Sequence, residues 1–366
     1  MVKVGINGFG RIGRLAFRVG LIKHANEIDF VAVNTSGSMP VSGWAHLTNF
    51  DTTYRQFEHN VQSEELNDPE KITDDNPEIG NLLVLNKKIP VLAQKDPSKI
   101  PWGKFGVEVV IESTGRFTTE EDAKKHAIGG AKRVVISAPA RGGNVGTYVI
   151  GVNDFKGEAT VLSNASCTTN CVAPVAAVIH SKFGIEKAAM TTAHGYTDDQ
   201  NLHDNSHKDL RRARAAAMNI VPTSTGAAIA TTETIPELKG LFDGMALRVP
   251  VLTGSITDFA IVTKKNVTVE EVNNAFIEAF QNPIYKGILA VSKEPLVSSD
   301  IIGRSESAIV DLPLTQVIGG NLVKVFAWYD NEWGYTNRLV EQVIRVGKTL
   351  GGTSTPSDPL TLSFQK

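Results

Sequence analysis

Residues Val2 to Asn7 form an apolar, β-prone run that passes directly into Gly8-Phe9-Gly10-Arg11-Ile12-Gly13, a Gly-x-Gly-x-x-Gly turn. Helix-compatible sequence from Arg14 to Ala25 then leads to a second β-prone run, Phe30-Val31-Ala32-Val33. A glycine turn between a buried strand and a helix commits the chain to a strand-helix-strand unit, and so to a parallel sheet, because parallel neighbours can be joined only by a crossover. Glycines there allow the tight turn and let a pyrophosphate approach backbone N–H groups at a helix N-terminus, here those of Arg11 and Ile12. Gly8, Gly10, Arg11, Ile12 and Gly13 are therefore candidate dinucleotide-binding residues.

The same rhythm continues through the first third of the chain, where Leu82 to Leu85, Val107 to Ile111 and Val134 to Ser137 read as strands and Glu120 to Ala131 as a helix. Ser113, Thr114 and Ser137 fall at strand ends, where such sheets bind cofactors. The segment Ser63 to Gly80 is rich in Asp, Glu, Asn and Pro without apolar periodicity and reads as a surface excursion. Beyond Cys167 the pattern shifts to strand-like runs at Ala188 to Thr192, Met245 to Val251, Ser255 to Val262 and Leu322 to Trp328, with helices at Val269 to Gln281 and Trp333 to Val346. Larger blocks of strands predict an α+β second domain. The tail from Gly351 to Lys366 reads as flexible.

A chain of 366 residues, 42% hydrophobic and 21% charged, can bury two sizeable cores. The formal net charge of −2 leaves no broad footprint for nucleic acid, and no apolar run reaches membrane-spanning length, so neither nucleic acid nor a membrane is expected as the main partner. Two cysteines cannot form a disulfide framework, and a strand beginning at Val2 leaves no room for a targeting peptide. A reducing, cytoplasmic setting follows as the expectation.

The densest chemistry lies in Ser163-Asn164-Ala165-Ser166-Cys167-Thr168-Thr169-Asn170-Cys171. Ser166 reads as an N-cap, Cys167 to His180 carries apolar residues at helical spacing, and Gly184 can end the helix. Cys167 then occupies the first turn, where unpaired N–H groups and the helix dipole favour a thiolate and lower a thiol pKa. The pattern alone leaves two readings open, a nucleophile or a small buried hydrophobe. Cys171, one turn on and in line with Val175 and Val178, reads as core. The Cys-x-x-x-Cys spacing fits neither a redox pair nor a zinc site.

Taken together, Ile6 to Arg14, Ser166 to Cys171, Arg211-Arg212-Ala213-Arg214-Ala215-Ala216, Pro222-Thr223-Ser224-Thr225-Gly226-Ala227-Ala228 and Trp328-Tyr329-Asp330-Asn331-Glu332-Trp333-Gly334-Tyr335 resemble the phosphorylating glyceraldehyde-3-phosphate dehydrogenase family, in that family's order. The resemblance spans about residues 1 to 350. It implies an α/β fold, with a Rossmann doubly wound NAD(P)-binding domain over residues 1–166, completed by a C-terminal helix at about 333–350, and an α+β catalytic domain with a mixed or antiparallel sheet over 167–332. A homotetramer is implied as well. Residue by residue, it makes Cys167 the nucleophile that forms a thiohemiacetal and then a thioester, and His194 the base. Sequence reading alone could not have chosen His194 among eight histidines. The implied partners are glyceraldehyde 3-phosphate and inorganic phosphate. Thr197, Asp199 and Arg248 match the substrate-phosphate side; Ser166, Thr168, Arg212, Thr225 and Gly226 match the inorganic-phosphate side. Asn331 matches the residue that holds the nicotinamide, with Tyr335 beside it. His203 and His207 have a metal-like spacing but sit in a loop rich in Asn and Asp, and no metal is assigned.

One departure bears on the cofactor. NAD-specific relatives carry an acid after the Asn that ends the second strand, whereas this chain reads Asn34-Thr35-Ser36-Gly37-Ser38. A carboxylate there would repel a 2′-phosphate by up to about 4 kcal/mol at about 4 Å and an effective dielectric of about 20. Its absence, the donors of Ser36 and Ser38, and Ser206 where NAD-specific relatives usually have Pro, predict use of NADP as well as NAD, with some preference for NADP. Two other functions compete with this reading: the sister erythrose-4-phosphate dehydrogenase, disfavoured by the intact Ser-Cys-Thr-Thr and Thr-Ser-Thr-Gly motifs, and an RNA- or nucleotide-binding interaction protein, disfavoured by the Cys167/His194 pair.

Overall fold

The computed structural model describes residues 1–155, 157 and 159–351, so the tail expected to be flexible lies, past Gly351, outside the described residues. The chain forms two compact units, one of residues 1–147, 155–164 and 336–351, the other of residues 148–154 and 165–335. Seven α-helices are described: α1 (Arg11–Lys23), α2 (Val41–Asn49), α3 (Glu120–Ile128), α4 (Cys167–Phe183), α5 (Ala227–Thr234), α6 (Val269–Gln281) and α7 (Trp333–Thr349).

Among the described residues, the first unit is built on a nine-stranded sheet in the order Gly146–Thr147, Val161–Ser163, Arg133–Ile136, Val109–Glu112, Val2–Asn7, Ile28–Asn34, Lys87–Leu92, Glu78–Val84, Gln62–Glu65. All pairings are parallel as far as Lys87–Leu92; the last two are antiparallel. The central strands are continuous apolar runs such as Val109-Val110-Ile111, fully buried, as parallel strands covered on both faces require. From Val2–Asn7 the chain first moves to one side, through α1 to Ile28–Asn34, and later returns on the other side at Val109–Glu112. That reversal opens a crevice at the carboxyl ends of the strands, the usual ligand position in such sheets. The closing helix joins this unit through Lys23 to Asn337 at 2.9 Å and Lys348 to Glu27 at 2.8 Å.

Two sequence expectations need correction. The excursion Ser63 to Gly80 is flanked by sheet at both ends, since Gln62–Glu65 pairs antiparallel with Glu78–Val84. A polar edge strand leaves no apolar alternation to detect. Lys87–Leu92 was not foreseen, and Leu85, expected within a strand, instead forms a turn with Asn86, both left-handed at φ 50° and 60°. That two-residue geometry matches the twist of a hairpin.

The second unit carries an eight-stranded sheet, ordered Val221–Ser224, Phe242–Val249, Ile185–Gly195, Ser255–Thr263, Leu322–Tyr329, Ala308–Asp311, Leu289–Ser292, with Gln316–Ile318 also paired to Leu322–Tyr329. It is mixed: Ile185–Gly195 runs parallel to Phe242–Val249, but antiparallel to Ser255–Thr263. Along Ser255–Thr263 every second residue is buried, and Phe259 and Ile261 pack with Val172, Ile179 and Phe276 from α4 and α6 into one core. Helix α6 is held at its start by Thr268 and Glu271, each bonding to the other's backbone N–H.

The glycine turn before α1 is packed too closely for side chains at two of its three glycines. A Cβ on Gly13 would stand 2.1 Å from the Gly8 carbonyl oxygen, and one on Gly8, at φ +93°, would meet the Ser113 carbonyl carbon at 2.7 Å. Gly13→Ala is therefore expected to cost about 1–3 kcal/mol in urea unfolding. An unchanged midpoint would show that the helix can back away from the strand.

Candidate active site

Cys167 opens α4. Its predecessor Ser166 is the N-cap, accepting from the Thr169 N–H at 3.0 Å, and Asn170 is drawn into the first turn by its own bond to the Ser166 carbonyl at 2.9 Å. Ala165, just before the cap, is held left-handed at φ 57°, a strained conformation for a residue with a Cβ. The thiol is half-buried, and its sulfur lies 3.3 Å from Nε2 of buried His194, near the end of strand Ile185–Gly195. Register places Arg248 directly opposite His194 on the parallel strand Phe242–Val249.

The histidine tautomer follows from its partners. Nδ1 is 2.6 Å from the Gly195 carbonyl, which can only accept, and 2.9 Å from Arg248 Nη1, which can only donate; the shorter contact, to the carbonyl, puts the hydrogen on Nδ1 and leaves the Nε2 lone pair facing the sulfur. Arg248 donates to the same carbonyl at 3.2 Å. Burial, reinforced by the Arg248 charge, brings His194 down to about 3. Burial also pushes the Cys167 thiol up, against the pull of Arg248 and of bonds to Thr168. The sequence reading expected the helix terminus to lower this thiol; desolvation outweighs it. The site thus pairs a neutral thiol with a neutral base, and Arg248, whose Nε is buried without a hydrogen-bond partner among the described residues, supplies a cation beside them.

The residues matched to phosphate binding divide between two surroundings. Thr197 lies 3.5 Å from Arg248 Nη1, so these two share the His194 neighbourhood. Arg212 forms ion pairs with Asp199 and Asp209 and donates to Thr223 Oγ1 at 2.7 Å, so Asp199 partners Arg212 here rather than Arg248. Gly226 caps α5 with open space where a Cβ would stand, and Thr225 accepts from the Ala227 N–H. Ser206 is exposed, and His207 bonds to Asp209. Among the described residues no group of three metal-ligating side chains occurs.

The dinucleotide candidates in the first unit fit an anionic ligand at the turn. Helix α1 has no side-chain cap and no acid in its first turn, and a Cβ on Gly10 would meet nothing within 4 Å, so the cradle is open where a pyrophosphate would approach. Ser113 donates to the Gly8 carbonyl at 2.7 Å, bracing the turn, and the Ser137 N–H donates to the Glu112 carbonyl. Arg11 turns its side chain to Asp51 at 3.1 Å. Asn34 and Thr35 are buried: Asn34 donates to Asn7 and to the Gln94 carbonyl, and Thr35 donates to the Leu92 carbonyl, leaving Ser36 as the exposed hydroxyl of the three, bonded to Ser38. In the second unit, Asn331 Oδ1 accepts from Thr253, Ser255 and the Gly254 N–H, which fixes the orientation of its amide, and Tyr335 donates to the Ala165 carbonyl.

Sequence reasoning missed Tyr329 and Ser255. The Tyr329 hydroxyl bridges Thr168 at 3.0 Å and Thr192 at 2.8 Å, with its ring edge-on to His194. Ser255 accepts from the Gly195 N–H and donates to Asn331. Tyr329 stood inside a matched motif, but nothing in the linear pattern separated it from an aromatic core residue.

Residues 2–120 match the family described as Glyceraldehyde 3-phosphate dehydrogenase, NAD binding domain, and residues 166–331 match Glyceraldehyde 3-phosphate dehydrogenase, C-terminal domain. The chain is 50% identical over 352 residues to the glyceraldehyde-3-phosphate dehydrogenase of Streptomyces coelicolor, covering 95% of this chain and 99% of that protein. It is 48% identical over 344 residues to glyceraldehyde-3-phosphate dehydrogenase 1 of Bacillus cereus, covering 93% and 97%. The corresponding protein of Mycobacterium leprae is 49% identical over 355 residues, covering 95% and 99%.

The depressed His194 value has a consequence for stability. Between the ordinary 6.5 and about 3 the unfolded chain takes up a proton that folded His194 refuses, so stability falls as pH drops through that window. His194→Gln should flatten this loss when urea midpoints at pH 7 and about pH 4.5 are compared with those of the parent. An identical pH slope in the two proteins would mean that folded His194 titrates normally.

Proposed function

Because this chain belongs to the glyceraldehyde-3-phosphate dehydrogenase family, we propose that it oxidises glyceraldehyde 3-phosphate to 1,3-bisphosphoglycerate with NAD and inorganic phosphate, using Cys167 as nucleophile and His194 as base. The observation that carries this assignment is the 3.3 Å contact between a thiol at a helix N-terminus and a lone-pair nitrogen whose other nitrogen is anchored. The dinucleotide-binding domain is assigned to residues 1–166 with the C-terminal helix, and the catalytic domain to 167–332; the two compact units agree with this division apart from residues 148–154, 165–166 and the start of α7, which pack with the second.

In this reading His194 Nε2 takes the Cys167 proton as sulfur attacks the aldehyde carbon. The first-turn N–H groups of α4 and Arg248 offset the negative charge that develops. His194 returns that proton to the alkoxide, completing the thiohemiacetal, and takes it back from the hydroxyl as the hydride leaves. NAD, when bound, accepts the hydride that leaves the same carbon. The product is a Cys167 thioester, and inorganic phosphate then attacks its carbonyl, expelling the thiolate and releasing the acyl phosphate. Arg248 with Thr197 suits the substrate phosphate. Ser166, Thr168, Arg212, Thr225 and Gly226 are assigned to the attacking phosphate, although Arg212 must first loosen its carboxylate partners. Asn331, oriented by three donors, is assigned to the nicotinamide amide, with Tyr335 alongside.

Cofactor choice is the finer part of the proposal: dual use of NAD and NADP, with preference for NADP. It is supported by the lack of an acid at Thr35 and by the exposed Ser36 and Ser38 hydroxyls; Ser206 is the second assigned position. The donors are neutral, each worth about 0.5–1.5 kcal/mol net, so the preference is modest. A homotetramer belongs to the same reading. Leu202, Leu210 and Met218 stand 80%, 81% and 81% exposed near one another in sequence, and buried Gln200 finds no partner for its amide among the described residues, features that a neighbouring subunit would cover. A cytoplasmic location suits a nucleophilic thiol that must stay reduced.

Initial rates with NAD or NADP, with and without phosphate, test the assignment. Activity should depend on phosphate, vanish in Cys167→Ser and fall about 10²–10⁴-fold in His194→Gln. Oxidation of erythrose 4-phosphate without phosphate dependence would shift the assignment to the sister activity. Thr35→Asp should lower kcat/KM for NADP about tenfold or more relative to NAD, through repulsion of the 2′-phosphate. Equal effects on both cofactors would remove the ribose turn from the specificity argument.

A further inference from the structure

The first unit contains a run of buried polar side chains that no catalytic step above uses. Glu112 and His126 are 1% and 0% exposed and bonded to each other, Nε2 to Oε2, at 3.0 Å. The Trp102 indole donates to His126 Nδ1 at 3.0 Å. Because an indole N–H can only donate, Nδ1 accepts, Nε2 carries the hydrogen, and His126 is a donor to Glu112. Asn7 Nδ2 converges on the same carboxylate oxygen at 2.6 Å. The other oxygen accepts from the Thr114 N–H at 2.8 Å and from the Thr114 hydroxyl. All four partners are donors, so both oxygens act as acceptors and the group is held as a carboxylate without a cation. A buried charge of this kind is costly unless every bond is made.

The placement gives the network a purpose. Glu112, Asn7 and Asn34 are the last residues of three adjacent parallel strands, and Asn7 is the register partner of both others. From Asn7 the chain of bonds continues, Asn34 donating to Asn7 Oδ1 at 2.8 Å and exchanging bonds with the Gln94 backbone at 2.8 and 2.9 Å. One bonded series therefore crosses the rim of the crevice, beneath the turns that start at Gly8, at Ser113 and at Thr35. We propose that Glu112 is a positioning residue for the dinucleotide: its carboxylate, oriented by His126 and Trp102, fixes Thr114 directly and the Gly8 and Thr35 turns through Asn7 and Asn34. The inference rests on the assignment of this crevice to NAD.

Glu112→Gln preserves shape but sets an amide N–H₂ against an obligate donor in either orientation, the Thr114 N–H or Asn7 Nδ2, and His126 cannot switch tautomer to receive it without losing Trp102. In the full-length protein, KM and the calorimetric Kd for NAD should both rise about tenfold or more, with kcat at saturating NAD within about twofold and KM for glyceraldehyde 3-phosphate unchanged. Trp102→Phe, which removes only the outermost donor, should raise the Kd about two- to fivefold. Gly10→Val, whose side chain would enter the open cradle, reports on the crevice itself and should abolish NAD binding. If Glu112→Gln folds and binds NAD as the parent does, or loses kcat and thermal stability with an unchanged Kd, the network is only structural and the inference fails. If Glu112→Gln does not fold, an unchanged Kd in Trp102→Phe overturns it. Unaltered binding in Gly10→Val would instead refute the crevice assignment, and the positioning role with it.

Discussion

The 3.3 Å approach of a cysteine sulfur to an imidazole nitrogen is the contact on which the second unit's chemistry depends, and neither residue makes it alone. Cys167 is placed by a cap, the Ser166 hydroxyl, after a left-handed residue that turns the chain into α4. His194 is placed by the end of a strand and by the Gly195 carbonyl that orients its ring. Parallel pairing then fixes Arg248 opposite the histidine, where side chains of adjacent strands emerge on the same face. Helix start, strand end and ladder register have to agree within an ångström or so for the nitrogen to serve as a base.

Electrostatics in this pocket depends on what burial removes. An exposed cysteine at a helix N-terminus would titrate low, yet here the sulfur and the imidazole are both driven towards their neutral forms, because each would lose more hydration than its neighbours restore. The Arg248 cation stays beside them, and the nearby Asp199 is ion-paired with Arg212, so the field in the pocket favours an anion, whether a thiolate, a developing oxyanion or a phosphate. The first unit solves the converse problem. There a buried carboxylate is kept by four donors rather than by a cation, and its rigidity is transmitted along the rim of the sheet.

Much of this was legible in the chain. The glycine turn, the capped helix at Cys167 and the parallel core of the first sheet followed from local pattern, because each is signalled by residues close in sequence; the mixed second sheet was implied by the family resemblance. The misses in the fold were of one kind. Gln62–Glu65 is a strand only because Glu78–Val84 pairs with it, and its Gln-Ser-Glu-Glu composition carries no trace of that partner. Likewise no local pattern shows that the Thr35 hydroxyl bonds to the Leu92 carbonyl or that Asp199 pairs with Arg212.

By itself the sequence determined most of the element types, the glycine turn before α1, and a family signature specific enough to select Cys167 and His194. Those features are local or are carried by residue identity. Only the tertiary structure decided that the thiol is raised rather than lowered, which nitrogen of His194 is free, that Tyr329 and Ser255 tie the site together, and that Glu112, His126 and Trp102 meet. Solvation, hydrogen-bond direction and register belong to the space between distant segments, and a linear pattern holds no measure of that space.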